Sequence, residues 1–149
     1  MAKGASANRG RSLARRLALQ ALYQMQMNPL PWQDLMQQFL ADPEAERIDR
    51  EYFETLLTQV VRDRESLDAR LSEFCEIPPG ELDPIEHAVL WLGLQELSAS
   101  PELPYRVVLA EAVQLTKQFG ATDGHKFVNA VLDRIAQQLR SSEYSREDR

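Results

Sequence analysis

The sequence predicts an all-α fold, a compact helical domain of six to seven helices in two subdomains. Three observations carry this reading. Apolar residues recur at three- and four-residue spacing along most of the chain, the period of one helix face. Prolines and glycines at Asn28-Pro29-Leu30-Pro31, Pro43, Pro78-Pro79-Gly80 and Pro101 cut the pattern into helix-length pieces. No segment alternates with the two-residue period of a half-buried strand, and no internal repeat is visible.

Taken in order, residues 1–10 offer little to bury and are expected to form a flexible basic arm. A helix follows from about Ser12 to Met27, with Leu13, Leu17, Ala21, Leu22 and Met25 as its stripe. After the proline break comes a short helix through Trp32, Leu35, Met36 and Phe39, then an acidic loop around Pro43. A long helix is predicted from about Asp49 to Phe74, apolar at Tyr52, Phe53, Leu56, Leu57, Val60, Val61, Leu67 and Leu71. Pro78-Pro79-Gly80 is the expected boundary between an N-terminal helical subdomain, 11–77, and a C-terminal one, 81–140. Asp83-Pro84-Ile85-Glu86 has the form of a helix start: a capping carboxylate, proline at the first position and glutamate at the third. The helix it opens is apolar nearly all round, through Ala88, Val89, Leu90, Trp91, Leu92, Leu94 and Leu97, which is the pattern of a central element. Two more helices follow. Val108, Ala112, Leu115 and Phe119 line the first, which is expected to stop at a left-handed Gly120. Phe127, Val131, Leu132, Ile135 and Leu139 line the second, with Asp123 as its cap. Residues 141–149 read as a polar, frayed tail.

The chain has 149 residues, 44% of them hydrophobic, which suffices for a packed core and excludes a disordered chain. One cysteine, Cys75, excludes an internal disulfide and a cysteine-based zinc site. No apolar run reaches the roughly 20 residues that span a bilayer, and no secretory signal is visible. A cytoplasmic location, away from any membrane, is the expectation. Net charge is −6, but its distribution is uneven. Lys3, Arg9, Arg11, Arg15 and Arg16 stand in the first 16 residues without an acid, so the other 12 basic residues face all 23 acidic ones. A basic segment on an acidic body grips phosphate locally while the body stays soluble.

Nothing in the sequence assembles an active site. There is no glycine-rich phosphate loop and no GxSxG elbow. His87 and His125 have no matching set of ligands, so neither a metal nor any other cofactor is expected. A binding protein, not an enzyme, is the reading. Lys126 falls in the first turn of the last helix, where free backbone N–H groups and the helix dipole also favour an anion. Beside it, Phe127 either stacks on an unpaired base or opens the core face of the helix. Asn129 either reads a base edge or ties the turn to the helix backbone.

Three blocks of residues carry a resemblance. The longest is Pro104, Tyr105, Glu111, Ala112, Lys117, Phe119-Gly120, His125-Lys126-Phe127-Val128-Asn129 and Val131-Leu132-Asp133. The others are Arg15, Ala18, Gln20, Ala21, Leu22 and Tyr23, and Glu86, Ala88, Val89, Leu90, Leu94, Glu96 and Leu97. In this order they resemble the NusB family of bacterial transcription antitermination factors. The resemblance implies a two-subdomain helical fold. It implies binding to boxA-containing single-stranded RNA of nascent ribosomal transcripts, together with NusE, a small-subunit ribosomal protein, on the elongating RNA polymerase complex. By residue match it implies an RNA surface with Arg15, Lys126 and Phe127, to which Arg11 and Asn129 are added, and a NusE-facing surface with Tyr23, Glu86 and Asp123. Trp91 stands where some relatives carry a basic residue, and is expected to stack on a base or to pack against a neighbouring chain. A homodimer that hides the RNA surface is also open. Two other readings compete. One is a stand-alone RNA-binding module akin to the N-terminal domain of RNA cytosine methyltransferases, which predicts RNA binding without NusE. The other is a protein-only helical scaffold, insensitive to Arg11, Arg15 and Lys126.

Overall fold

A computed structural model describes residues 2–147, with side chains placed for residues 8–146. Among the described residues there are seven α-helices and no strand: α1 (Ala2–Met27), α2 (Trp32–Leu40), α3 (Arg50–Leu71), α4 (Pro84–Ala99), α5 (Tyr105–Phe119), α6 (Gly124–Leu139) and α7 (Ser141–Glu147). Short 3-10 helices at Pro43–Glu46 and Pro79–Glu81 use the two proline breaks. The expected all-helical class is what the chain adopts. It forms two compact units that divide at Arg62 and Asp63, inside α3 and not at Pro78-Pro79-Gly80.

In the first unit α1 begins at Ala2, about ten residues before the predicted start. The stretch holds no proline, and its alanine, lysine and arginine let a helix nucleated downstream extend through it despite Gly4 and Gly10. It is also tied down, because the Asp49 N–H donates to the Gly10 carbonyl at 3.1 Å. The expected flexible arm is therefore helical from Ala2 on; Met1 and the Lys3 side chain lie outside the described residues. Ala14, Leu17, Ala18, Leu19, Ala21, Leu22 and Met25 of α1 are buried, as are Leu35, Phe53, Leu56, Leu57 and Val60.

The second unit is built around α4, on which every residue from His87 to Leu97 is buried. Its start follows the predicted chemistry: Asp83 Oδ1 accepts from the Ile85 and Glu86 N–H groups at 3.0 and 3.1 Å, with Pro84 at the first position. Helices α5 and α6 pack on α4 and on each other. Gly93 makes the α4–α6 contact close, since a Cβ there would stand 2.7 Å from Leu132 Cδ1. The far end of α4 is closed by buried Arg140, which donates to the carbonyls of Leu97 at 3.0 Å, Ser100 at 2.9 Å and Leu103 at 2.8 Å. These are carbonyls that a helix end and its turn leave without partners.

Four expectations are corrected in this unit. Gly120 is extended (φ −92°, ψ 179°), not left-handed. Glycine is needed there for space, since a Cβ would meet the Thr116 carbonyl oxygen at 2.8 Å. The left-handed residue is Asp123 (φ 68°), and its side chain makes no capping bond to α6. Trp91 is only 3% exposed, which leaves its ring little surface to offer a base or a second chain. Its Nε1–H donates to Asp68 Oδ1 at 2.7 Å and its ring packs on His87, whose Nε2 lies 2.6 Å from the same oxygen. The tail is no frayed end, for it forms α7 through Glu147.

Candidate nucleic-acid interface

In the first unit Arg11 and Arg15 are four apart on α1, so they share one face. Both guanidinium groups lie over Tyr52, with Cζ 5.0 Å from the ring centroid for Arg11 and 5.3 Å for Arg15, within cation–π range. The two arginines differ in exposure. Arg15 is 3% exposed and its Nη2 donates to the Tyr52 hydroxyl at 3.4 Å, so it supports the ring from beneath. The Arg11 side chain is 41% exposed, and it is the member of the pair that presents charge to water. Asp49 completes the group. Its Oδ1 accepts from the Tyr52 N–H at 3.0 Å and so caps α3, while Oδ2 lies 3.9 Å from Arg11 Nε. A Cβ on Gly10 would lie in ordinary contact with the Asp49 backbone nitrogen, 3.4 Å away. Tyr23 is exposed farther along the first unit, with exposed Met27 and Leu30 following it in the chain.

In the second unit the turn from α5 to α6 gathers the remaining residues. Lys126 Nζ lies 3.3 Å from Asp123 Oδ1, and both side chains are well exposed, so the lysine is held loosely at the mouth of α6. Phe127 is half-buried, and the α6 core face starts instead at buried Val128. Asn129 is exposed. Glu86 of α4 reaches the same place: its Oε2 lies 3.1 Å from where a Cβ on Gly124 would stand. Burial, and then the nearby Asp83 charge, push the Glu86 carboxyl above its ordinary range. Glu86, Asp123 and Lys126 thus form one cluster of mixed charge, with Phe127 next to Lys126 in the chain.

Sequence reasoning did not single out Tyr52 or Asp49 as site residues. The available signal was an aromatic and a capping acid at the start of a helix, which is also the look of ordinary core and cap. Nor did it foresee exposure of Met27 and Leu30, which sit at the break where a helix stripe ends. Among the described residues no group of His, Cys, Asp and Glu is placed to hold a metal ion, and no helix is long and apolar enough to cross a membrane.

Comparison with known proteins identifies the family. The sequence model of the NusB family matches residues 12–137. The transcription antitermination protein NusB of Marinomonas sp. (strain MWYL1) is 45% identical over 89% of this chain and 78% of its own length. That of Hahella chejuensis (strain KCTC 2396) is 44% identical over 89% of each. A crystal structure of antitermination factors NusB and NusE in complex with dsRNA contains a chain that superposes with a TM-score of 0.77 at 26% identity, over 87% of this chain and 98% of that one. A family match that runs from Ser12 within α1 to Gln137 near the end of α6, with relatives this similar across nearly the whole length, places the chain in the NusB family.

Proposed function

We propose that this protein is an RNA-binding transcription antitermination factor that assembles with NusE on boxA RNA and so lets the elongating polymerase pass terminators. The observation that carries the reading is the family match across α1 to α6, coupled with a likeness to a NusB chain in complex with NusE and dsRNA. The geometry supports it. Arg11 is stacked but half-exposed, and Lys126 and Asn129 are exposed beside half-buried Phe127. These are the cation, amide and aromatic groups that hold phosphates and unstacked bases. Arg15 is buried and supports this surface by fixing Tyr52. Tyr23, Glu86 and Asp123 form the proposed NusE-facing set. The mechanism is assembly without a covalent step.

The test is binding of a boxA-containing RNA, with and without NusE, across a salt series, for wild type and for Arg11→Ala with Lys126→Ala. NusE is expected to tighten binding. The double variant is expected to lose about 1.4 units of salt slope, roughly 0.7 for each lost phosphate contact on a single strand. Equal binding of a scrambled RNA and indifference to NusE would sink the assignment.

A further inference from the structure

We infer that Asp49 and Tyr52 are positioning residues for RNA. Tyr52 fixes the plane of the Arg11 guanidinium, and Asp49 is its resident counter-ion, which an RNA phosphate displaces. This deepens the RNA-binding reading above and rests on it.

Four observations carry the inference. First, Tyr52 is held at two points, backbone and hydroxyl. Its backbone N–H is bound by Asp49 Oδ1 at 3.0 Å, and its hydroxyl by buried Arg15 at 3.4 Å. A ring so fixed is a firm platform for the second guanidinium, that of Arg11, at 5.0 Å. Second, the backbone beside Arg11 is anchored, because the Gly10 carbonyl accepts the Asp49 N–H. The arginine is therefore delivered in one orientation, and less side-chain entropy is lost when it binds. Third, the Asp49 carboxylate cannot close fully on Arg11. With Oδ1 engaged as the α3 cap, Oδ2 stops 3.9 Å short of Nε, well beyond the 2.7–2.9 Å typical of a charge-assisted hydrogen bond. Fourth, that pair is open to water on both sides, at 41% and 39% exposure, so it is weak and easily exchanged. A phosphate is free to take the two-pronged approach to a guanidinium that Asp49 cannot make from its capping position. The carboxylate keeps Arg11 neutralised until a better anion arrives, and so disfavours weak, nonspecific anion binding.

The experiment is a double-mutant cycle read by affinity for the same boxA-containing RNA across a salt series. Asparagine is as good a helix cap as aspartate, so Asp49→Asn removes the counter-charge and keeps α3 capped. It is expected to tighten RNA binding roughly two- to fivefold at low salt, the worth of an exposed pair. In an Arg11→Ala background the same change is expected to have almost no effect, because the competition has no object. Tyr52→Phe keeps the ring but loses the Arg15 bond, and is expected to weaken binding modestly while keeping the wild-type salt slope. Tyr52→Leu removes the platform and should cut the slope by about 0.7, as Arg11→Ala does. If Tyr52→Leu fails to fold, the Asp49 cycle decides alone. Equal tightening by Asp49→Asn with and without Arg11 would reveal a general charge effect and overturn the inference, as would no change or weaker binding. Should wild type bind the RNA while the cycle is flat, only the positioning role falls. Should wild type not bind RNA at all, the functional reading falls with it.

Discussion

Glu86 stands in the first turn of α4 with its carboxylate against Gly124, and the site there is held at a cost. Burial and the Asp83 charge raise its pKa, so the folded protein binds this proton more readily than the unfolded chain does. The ionised carboxylate then opposes folding, with a penalty that grows as pH rises from the ordinary carboxylate range through the raised value and is complete above it. Glu86→Gln is expected to raise the melting temperature by about 1–3 °C at pH 7, the shift of a fraction of a kcal/mol in a domain this size. At pH 3 the gain should vanish. If Glu86 faces NusE as proposed, the same substitution weakens NusE binding, and thermal melting beside a NusE titration reads both effects. Stability lost at pH 7 would mean that the carboxylate makes a net favourable contact. Other residues were partly or wholly illegible in the sequence for definable reasons. Asp68 lies 2.6 Å from His87 and 2.7 Å from Trp91, partners on another helix that no local pattern links to it. Trp91 could be read as an exposed aromatic only because its partner was invisible. Gly120 was identified as necessary for the wrong reason, since a crowded Thr116 carbonyl and a left-handed turn both demand glycine and leave the same letter.

At the scale of elements, α7 is the one that local propensity does not account for. Seven polar residues cannot hold a helix alone in water. What holds α7 is its neighbours. Pro104 begins α5 without a side chain to cap it, and Glu143 supplies the missing acceptor, taking the Tyr105 N–H at 2.8 Å while pairing with Arg140 at 2.7 Å. Tyr144 stacks on Tyr105 with ring centroids 5.0 Å apart, and its hydroxyl donates to Asp133. Burial on its own raises the Glu143 carboxyl, but the Tyr105 N–H, the Arg140 guanidinium and the Arg146 charge outweigh it and hold the group below its ordinary value. The sign of the linkage follows. The contribution is fully present above the unfolded value, about 4.3 for glutamate, and is lost as pH falls through the lower folded value. Glu143→Ala is expected to cost about 1–2 kcal/mol at neutral pH, the worth of a lost cap with a charged partner. The difference from wild type should close in acid, and denaturant melts at pH 7 and pH 3 measure it. An equal cost at both pH values would show that α7 is held by Tyr144 alone. Where an element carries its own instructions the sequence was readable: the cap, proline and glutamate at Asp83–Glu86, or the apolar faces of α5 and α6. Both ends of the chain were not, because α1 upstream of Ser12 continues a helix begun elsewhere and α7 is fixed by distant partners.

For the whole molecule the question is how a chain of net charge −6 would bind RNA as proposed. The fold class and family were legible because helix period, caps and three residue blocks all agree. The site was legible only as a set of letters, since the sequence named Arg11 and Arg15 without showing that one is exposed and the other buried. That distinction decides what ionic strength will do. RNA affinity depends on salt through the counterions released from phosphates that are actually contacted, not through net charge. Exposed acids far from a contacted phosphate are screened within about 8 Å at physiological salt. Neutralising Glu102, exposed in the turn before α5, is therefore expected to leave the slope of log affinity against log salt unchanged. Arg11→Ala and Lys126→Ala should each lower it by about 0.7. Arg15→Ala is the telling variant. Its guanidinium is buried against Tyr52, so its loss should weaken binding by loosening that ring and destabilise the fold by about 2–4 kcal/mol, as removal of a buried hydrogen-bonded charge does. Any change it makes to the salt slope should come through Arg11. In an Arg11→Ala background the Arg15 substitution should then leave the slope where Arg11→Ala alone put it. A second, independent drop of 0.7 would mean that Arg15 meets phosphate itself.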